Sequence, residues 1–175
     1  MTLDRIARAC AISAALLVSA CYPALDWREV ASVDGGYTVL VPGQPEHAQR
    51  EITIGGLAIA MSMASVRKDG MAFGIAYADL PAGYDRHAEF LAAAREGLVH
   101  NIDGRVISAH EVTIDGASGQ EFYVEGNVDG RPMRLAARLL VAGSRFYQVV
   151  YVGQSDRITD ADVDLFLGSF RITRK

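Results

Sequence analysis

Five Asp-Gly pairs punctuate the chain, at Asp34-Gly35, Asp69-Gly70, Asp103-Gly104, Asp115-Gly116 and Asp129-Gly130, joined by Gly55-Gly56 and Ala142-Gly143. Such pairs tolerate positive φ, and they favour tight hairpins where alternating apolar and polar residues flank them. The intervening segments alternate in that way. Strands are therefore predicted at 37–41, 49–54, 57–66, 71–79, 105–114, 118–128, 133–141 and 145–152, in a sheet that is mostly an antiparallel meander.

Two segments break the period of two and show helical spacing instead. From Asp85 to about His100, the residues Phe90, Leu91, Ala94 and Leu98 fall on one stripe, which predicts a crossover helix packed on the sheet. Further on, Thr159, Asp160, Ala161 and Asp162 resemble a capping box with Asp in place of Glu. Val163, Phe166, Leu167 and Phe170 then recur at i, i+3, i+4 and i+7, predicting a helix that closes the domain. The expected class is α+β: a mostly antiparallel twisted sheet with a crossover helix and a C-terminal helix. With 175 residues, of which 50% are hydrophobic and 22% charged, the chain suits one globular domain. Its formal net charge of -4 opposes a nucleic-acid backbone, so nucleic acid is not an expected partner.

Treating Asp129-Gly130 and Ala142-Gly143 as two-residue loops registers the last three strands. Glu125 then faces Arg134, which faces Tyr151; Glu121 faces Arg138, which faces Tyr147. The other face shows Val124, Leu135 and Val150 in one row, with Phe122, Leu139, Phe146 and Val152 nearby. The six polar and aromatic residues Glu121, Glu125, Arg134, Arg138, Tyr147 and Tyr151 form either a solvated sheet face or a partner surface, because Arg and Tyr are enriched where proteins meet. Upstream, Ile107 and Ala109 fall on one parity and Val112 and Ile114 on the other, which predicts a β-bulge near His110 and Glu111.

Residues able to carry chemistry are scattered. His47, His87, His100 and His110 have no metal-site spacing with Cys, Asp or Glu, so no metal or other cofactor is expected. Asp160, Asp162 and Asp164 alternate like a calcium loop but lack its glycine and distal glutamate, and acids are favoured in a first helical turn. Met61 and Met63 read as core or sheet filler and not as copper ligands, which would want a denser cluster. Gly116-Ala117-Ser118-Gly119 sits in a predicted hairpin, away from the strand-to-helix setting of a nucleophile elbow. No catalytic residues are assigned, and the chain is not expected to be an enzyme.

The N-terminus has the order of an export signal: Arg5 and Arg8, an apolar run from Ala9 to Val18, then small residues. That run is shorter than the roughly 20 residues a spanning helix needs. Leu17, Val18, Ser19, Ala20 and Cys21 resemble the lipobox of bacterial lipoproteins. The resemblance implies cleavage before Cys21, a glycerolipid with two palmitate-type chains on its thiol, and a new amine open to acylation; an ordinary signal with an incidental cysteine, or an uncleaved N-terminal helix, is the alternative. The only other cysteine, Cys10, lies in the part removed. The expected organisation is a signal peptide at 1–20, a lipid-anchored tether at 21–26 and one domain at 27–175. The expected place is the bacterial cell envelope. Because Tyr22 is not aspartate, resemblance to sorting signals adds the outer membrane, facing the periplasm, where the host has two membranes.

Trp27, Gly35-Gly36-Tyr37-Thr38-Val39 and Pro42-Gly43-Gln44-Pro45 look like the opening of a class of uncharacterised bacterial exported lipoproteins with a PsbP-like α/β domain, DcrB-like proteins among them. Gly116 to Phe122, Phe146-Tyr147-Gln148-Val149 and Phe166-Leu167-Gly168-Ser169-Phe170 echo the later pattern. The resemblance implies a fold and a non-catalytic, partner-binding habit, and it transfers no active-site residue. The leading expectation is thus a lipid-anchored module that binds or supports another envelope protein. The alternative is a carrier holding a small apolar ligand or lipid between sheet and helix, near Ala58, Ala60, Ala72, Ala76 and Ala93.

Overall fold

The computed structural model describes residues 25–157 and 159–173; the predicted signal and Cys21 lie outside them. Seven antiparallel strands form the main sheet: β3 (Glu46–Ile54), β4 (Leu57–Lys68), β5 (Met71–Asp79), β6 (Arg105–Ile114), β7 (Ala117–Val128), β8 (Arg131–Ala142) and β9 (Arg145–Gln154). Their order is β3-β4-β5-β9-β8-β7-β6, so two meanders meet where β5 pairs with β9. The connection between the meanders is helix α1 (His87–His100), which crosses one face. On the other face lie helix α2 (Asp160–Ser169) and a small sheet of β1 (Arg28–Ser32), β2 (Tyr37–Val41) and β10 (Arg171–Ile172).

Turn chemistry accounts for the hairpins. Gly55-Gly56, Asp69-Gly70, Asp115-Gly116 and Asp129-Gly130 all hold positive φ at both residues, as type I′ turns require. Asp103-Gly104 instead ends α1, the Gly104 amide donating to the Val99 oxygen at 3.0 Å. The β8–β9 turn departs from expectation. Ala142 pairs with Arg145, so the loop is Gly143-Ser144 and the register lies two residues from the predicted one. Arg134 therefore faces Gly153 and Arg138 faces Val149, while Tyr147 and Tyr151 face Leu140 and Ala136; Val152, in place of Val150, stands opposite Leu135. Moving a turn by one residue changes the pairing sum by two, which preserves side-chain parity. The predicted faces survive although the predicted pairs do not. The Glu121–Arg138 and Glu125–Arg134 pairings across β7 and β8 stand as read.

Three further corrections concern edges and ends. The bulge in β6 lies between Val106 and Ser108, so Ile107 is the extra residue and is 44% exposed; His110 and Glu111 sit in regular pairing. The chain does not close on a helix, because Arg171 and Ile172 continue into β10 against β2. At the other end, Leu25 is only 7% exposed and belongs to the core cluster against which Trp27 packs, so the predicted tether includes a core residue.

Both faces of the main sheet are apolar. Toward α1, Phe122, Val124, Leu135, Leu139 and Phe146 meet Phe90 and Ala94, with the Phe90 and Phe146 rings edge to face at 4.9 Å. Toward α2, Phe73, Ile75, Leu140, Val149 and Tyr151 meet Val163, Phe166, Leu167 and Phe170. Phe73 joins these layers, edge to face with Phe166 at 5.2 Å and with Trp27 at 5.7 Å. Helix α2 starts at the predicted capping box: the Asp162 amide donates to Thr159 Oγ1 at 3.2 Å and the Thr159 amide to Asp162 Oδ2 at 3.4 Å.

A Cβ on Gly119 would fall 1.9 Å from the Leu139 oxygen of the neighbouring strand, a backbone group that cannot move aside. Gly119→Ala is expected to destabilise the domain by roughly 3 kcal/mol, and Thr159→Ala by about 1 kcal/mol through loss of the cap. Urea unfolding followed by circular dichroism measures both, and equal midpoints for the two variants would contradict the ranking.

Candidate functional site

Four of the six residues expected to form a polar face are covered by α2 and the small sheet. Tyr147 and Tyr151 are 3% and 0% exposed and Glu121 6%, while the Arg138 side chain keeps 17% of its surface. Arg134 is half-buried beside α2, paired with Asp160, and Glu125 alone is exposed, paired with Arg105 at 2.8 Å. This face is therefore interior, a polar seam between two layers. It misled the sequence reading because arginine stems and tyrosine rings bury readily while their polar tips find partners.

Those partners are specific. Glu121 accepts from Arg138 Nε and, at 3.0 Å, from the Tyr123 hydroxyl; Arg138 Nη1 donates to the Leu167 oxygen in the last turn of α2 at 2.6 Å. One guanidinium thus pairs with a buried carboxylate and also binds a carbonyl in the last turn of the helix, which accepts from the Phe170 amide at 3.3 Å as well. Burial and the adjacent Glu121 charge push the Tyr123 hydroxyl up to about 12, so it stays a donor. Tyr147 donates to the Gly35 oxygen at 2.9 Å, pinning the β1–β2 turn onto the main sheet. Burial pushes Tyr151 up to about 12, and its hydroxyl has no hydrogen-bond partner among the described residues.

Arg145 makes a second tie. It grips Asp79 with both ends of its fork, Nε to Oδ1 at 2.7 Å and Nη2 to Oδ2 at 3.0 Å. Its Nη1 donates to the Asp34 oxygen at 2.7 Å, and its guanidinium lies 5.2 Å from the centre of the Tyr77 ring. The hydrogen bond from Arg145 holds the Asp79 carboxyl below its ordinary value, against a smaller desolvation effect.

The ligand space expected around five alanines is not assembled there. Ala58 and Ala60 are exposed, and Ala76 is buried in the core toward α1. Ala72 and Ala76 border a hollow of about 360 Å³ with Met63, Gly74 and Val150, rimmed by Arg50 and Arg67. Ala93 instead packs against Gly55, whose added Cβ would lie 3.2 Å away. A larger trough, of about 610 Å³, opens on the opposite flank of α1, against β6 and β7. His87, Arg95, Glu111 and Gln120 line it, and no spacing rule in the sequence had drawn them together. Among the described residues, no group of three or more His, Cys, Asp or Glu could hold a metal ion.

Two outcomes follow from the seam and its ties. Arg138→Leu strands the Glu121 charge inside the protein and is expected to cost about 3–5 kcal/mol, whereas Arg138→Leu with Glu121→Leu costs markedly less. Equal losses in urea melts would show that the pair is not coupled. Because the Asp79 carboxyl is depressed in the folded state, its contribution is present above the unfolded value and is lost as pH falls through the folded one. Being largely exposed, the Asp79–Arg145 pair supplies only about 0.2–1 kcal/mol. Arg145→Gln should remove that share of the acid dependence below about pH 4, as read from melting temperatures across the acid range.

The sequence matches no protein-family model and no curated protein. Among solved structures, cyanobacterial PsbP (CyanoP) from Synechocystis sp. PCC 6803, determined in solution, superposes with a TM-score of 0.56 at 12% identity, covering 83% of this chain and 92% of that one. A protein of unknown function, PA94 from Pseudomonas aeruginosa, reaches a TM-score of 0.44 at 12% identity, covering 74% of this chain and 83% of that one. Identity at this level speaks of architecture and not of sites. On the first of these superpositions, the chain has a PsbP-like α+β fold.

Proposed function

We propose that this chain is a lipid-anchored accessory protein of the bacterial cell envelope, related to the DcrB-like lipoproteins, whose PsbP-like domain holds another envelope protein without catalysing a reaction. The observation that carries the reading is the burial of Leu25. Only three residues lie between it and Cys21, a reach of about 14 Å over four fully extended steps, so a lipid on that thiol holds the domain against the bilayer. Two acyl chains suffice for stable anchoring, at about 0.8 kcal/mol for each buried methylene.

The anchor also gives the domain a direction. Leu25 lies beside Asp69, Gly70 and Gln154, at the end of the sheet that carries the β4–β5 turn. Strand β1 runs away from that end for five residues, and the turn beyond it presents Val33, which is 70% exposed. A partner standing off the membrane meets Val33 and its neighbours. Val128, also exposed, lies by the β7–β8 turn at the end near Leu25.

Alkyne-palmitate labelling of cells expressing the full chain should mark it, and Cys21→Ala should abolish the label and release the protein from membranes; an unlabelled wild-type chain sinks the anchor. A photo-crosslinking residue in place of Val33 should give a discrete adduct with an envelope protein, and the same residue in place of Val128 should not. The reverse pattern would overturn the orientation.

A further inference from the structure

The trough beside α1 holds two charges that the fold leaves unneutralised. Its volume, about 610 Å³, falls within the 300–1,000 Å³ or so typical of small-molecule clefts. On the helix wall, Arg95 is half-buried, and its Nη1 donates to Gln120 Oε1 at 2.9 Å. Gln120 Nε2 in turn donates to the Leu91 oxygen at 3.2 Å. The guanidinium is thereby fixed in place by a neutral amide and keeps its charge for something else. On the strand wall, β6 supplies Glu111. Among the described residues neither Arg95 nor Glu111 forms an ion pair, with the other or with any third group.

That arrangement selects among ligand chemistries. A simple carboxylate would gain Arg95 but suffer repulsion from Glu111, and a simple cation would meet the converse. A molecule carrying both charges at separate ends satisfies the two walls together, and a planar carboxylate suits the fork of an arginine already oriented by Gln120. Leu91 and Val141 also line the trough and give an apolar bed for small side chains. We propose that the trough binds a short zwitterionic peptide, its carboxylate on Arg95 and its terminal ammonium on Glu111. The site lies on the face opposite α2 and does not depend on a lipid at Cys21. It differs from an apolar-ligand carrier in both place and chemistry.

Titration of the ¹⁵N-labelled full chain in detergent with trialanine, N-acetyl-trialanine and trialanine amide tests this by two-dimensional NMR. Trialanine should shift the amide signals of Leu91, Arg95, Glu111 and Gln120 in a saturable way, and blocking either terminus should weaken binding about tenfold. Arg95→Gln should lose affinity for trialanine while becoming indifferent to amidation, and Glu111→Gln should become indifferent to acetylation. The blocked peptides test the charges in the unmodified protein, so a variant that folds poorly does not remove the test. Absent shifts at the trough, or equal affinities for the three peptides, would overturn the proposal.

Discussion

Each strand of the main sheet alternates, yet on the central strands both faces carry apolar side chains. Tyr151, Val149 and Phe73 point one way, and Val150, Phe146 and Ala76 the other. A sheet of that kind cannot leave either face in water, and that constraint accounts for the remaining elements. Helix α1 covers one side, and α2 with the three-stranded sheet covers the other. The second cover rests on a polar seam as well as on apolar burial. Glu121 and Arg138 are carried into the interior together, and the arginine also closes the last turn of α2 through the Leu167 oxygen. Removal of the arginine alone would leave the buried Glu121 carboxylate without its main partner.

The ties at the end remote from Leu25 belong to the same scheme. Tyr147 and Arg145 both reach the β1–β2 turn, one through the Gly35 oxygen and the other through the Asp34 oxygen. The small sheet is therefore stitched to the main sheet from β9, which also contributes Val149 and Tyr151 to the core beneath it. Strand β10 adds a further link, since the Ile172 amide donates to Asp115 at the β6–β7 turn at 2.9 Å. Pieces distant in sequence thus close the layer that the sheet requires.

Local chemistry decided which parts of this could be read from the residues. Most hairpin turns, the faces of the strands and the capping box at Thr159 are local signals and are legible, whereas the β8–β9 turn lies one residue on from the predicted loop, Asp103-Gly104 ends a helix, and the β6 bulge lies at Ile107. Strand β1, Arg28–Ser32, has no clean alternation and exists because β2 pairs with it; β10 is two residues long and has no period at all. The polar seam went wrong for a different reason. Glu, Arg and Tyr in a row have the composition of a surface, and only the stripe of Val163, Phe166, Leu167 and Phe170 hinted that something must lie upon them. That stripe needs a bed, and the faces of the sheet were the beds on offer. The trough was invisible because its walls come from α1 and from β6 and β7, whose adjacency depends on how the crossover lies.

The two covers differ in width, and the difference explains where the molecule is left open. Helix α1 packs mainly against β3, β7 and β8, so β6 extends beyond its shelter and the trough lies in the uncovered angle. The two free edges of the sheet are protected unequally. Strand β3 displays Glu46, His47, Arg50 and Glu51 along nine residues, a density of charge that discourages a further strand from pairing. Strand β6 has fewer charges and exposes Val106 and Ile107, but the bulge at Ile107 interrupts its register. An edge twisted by a bulge resists open-ended pairing with other sheets while the strand beyond it, from Ser108 to Ile114, stays regular. The regular stretch includes Glu111, so the residue that faces Arg95 across the trough is held by ordinary pairing with Gln120, the side chain that fixes Arg95 itself.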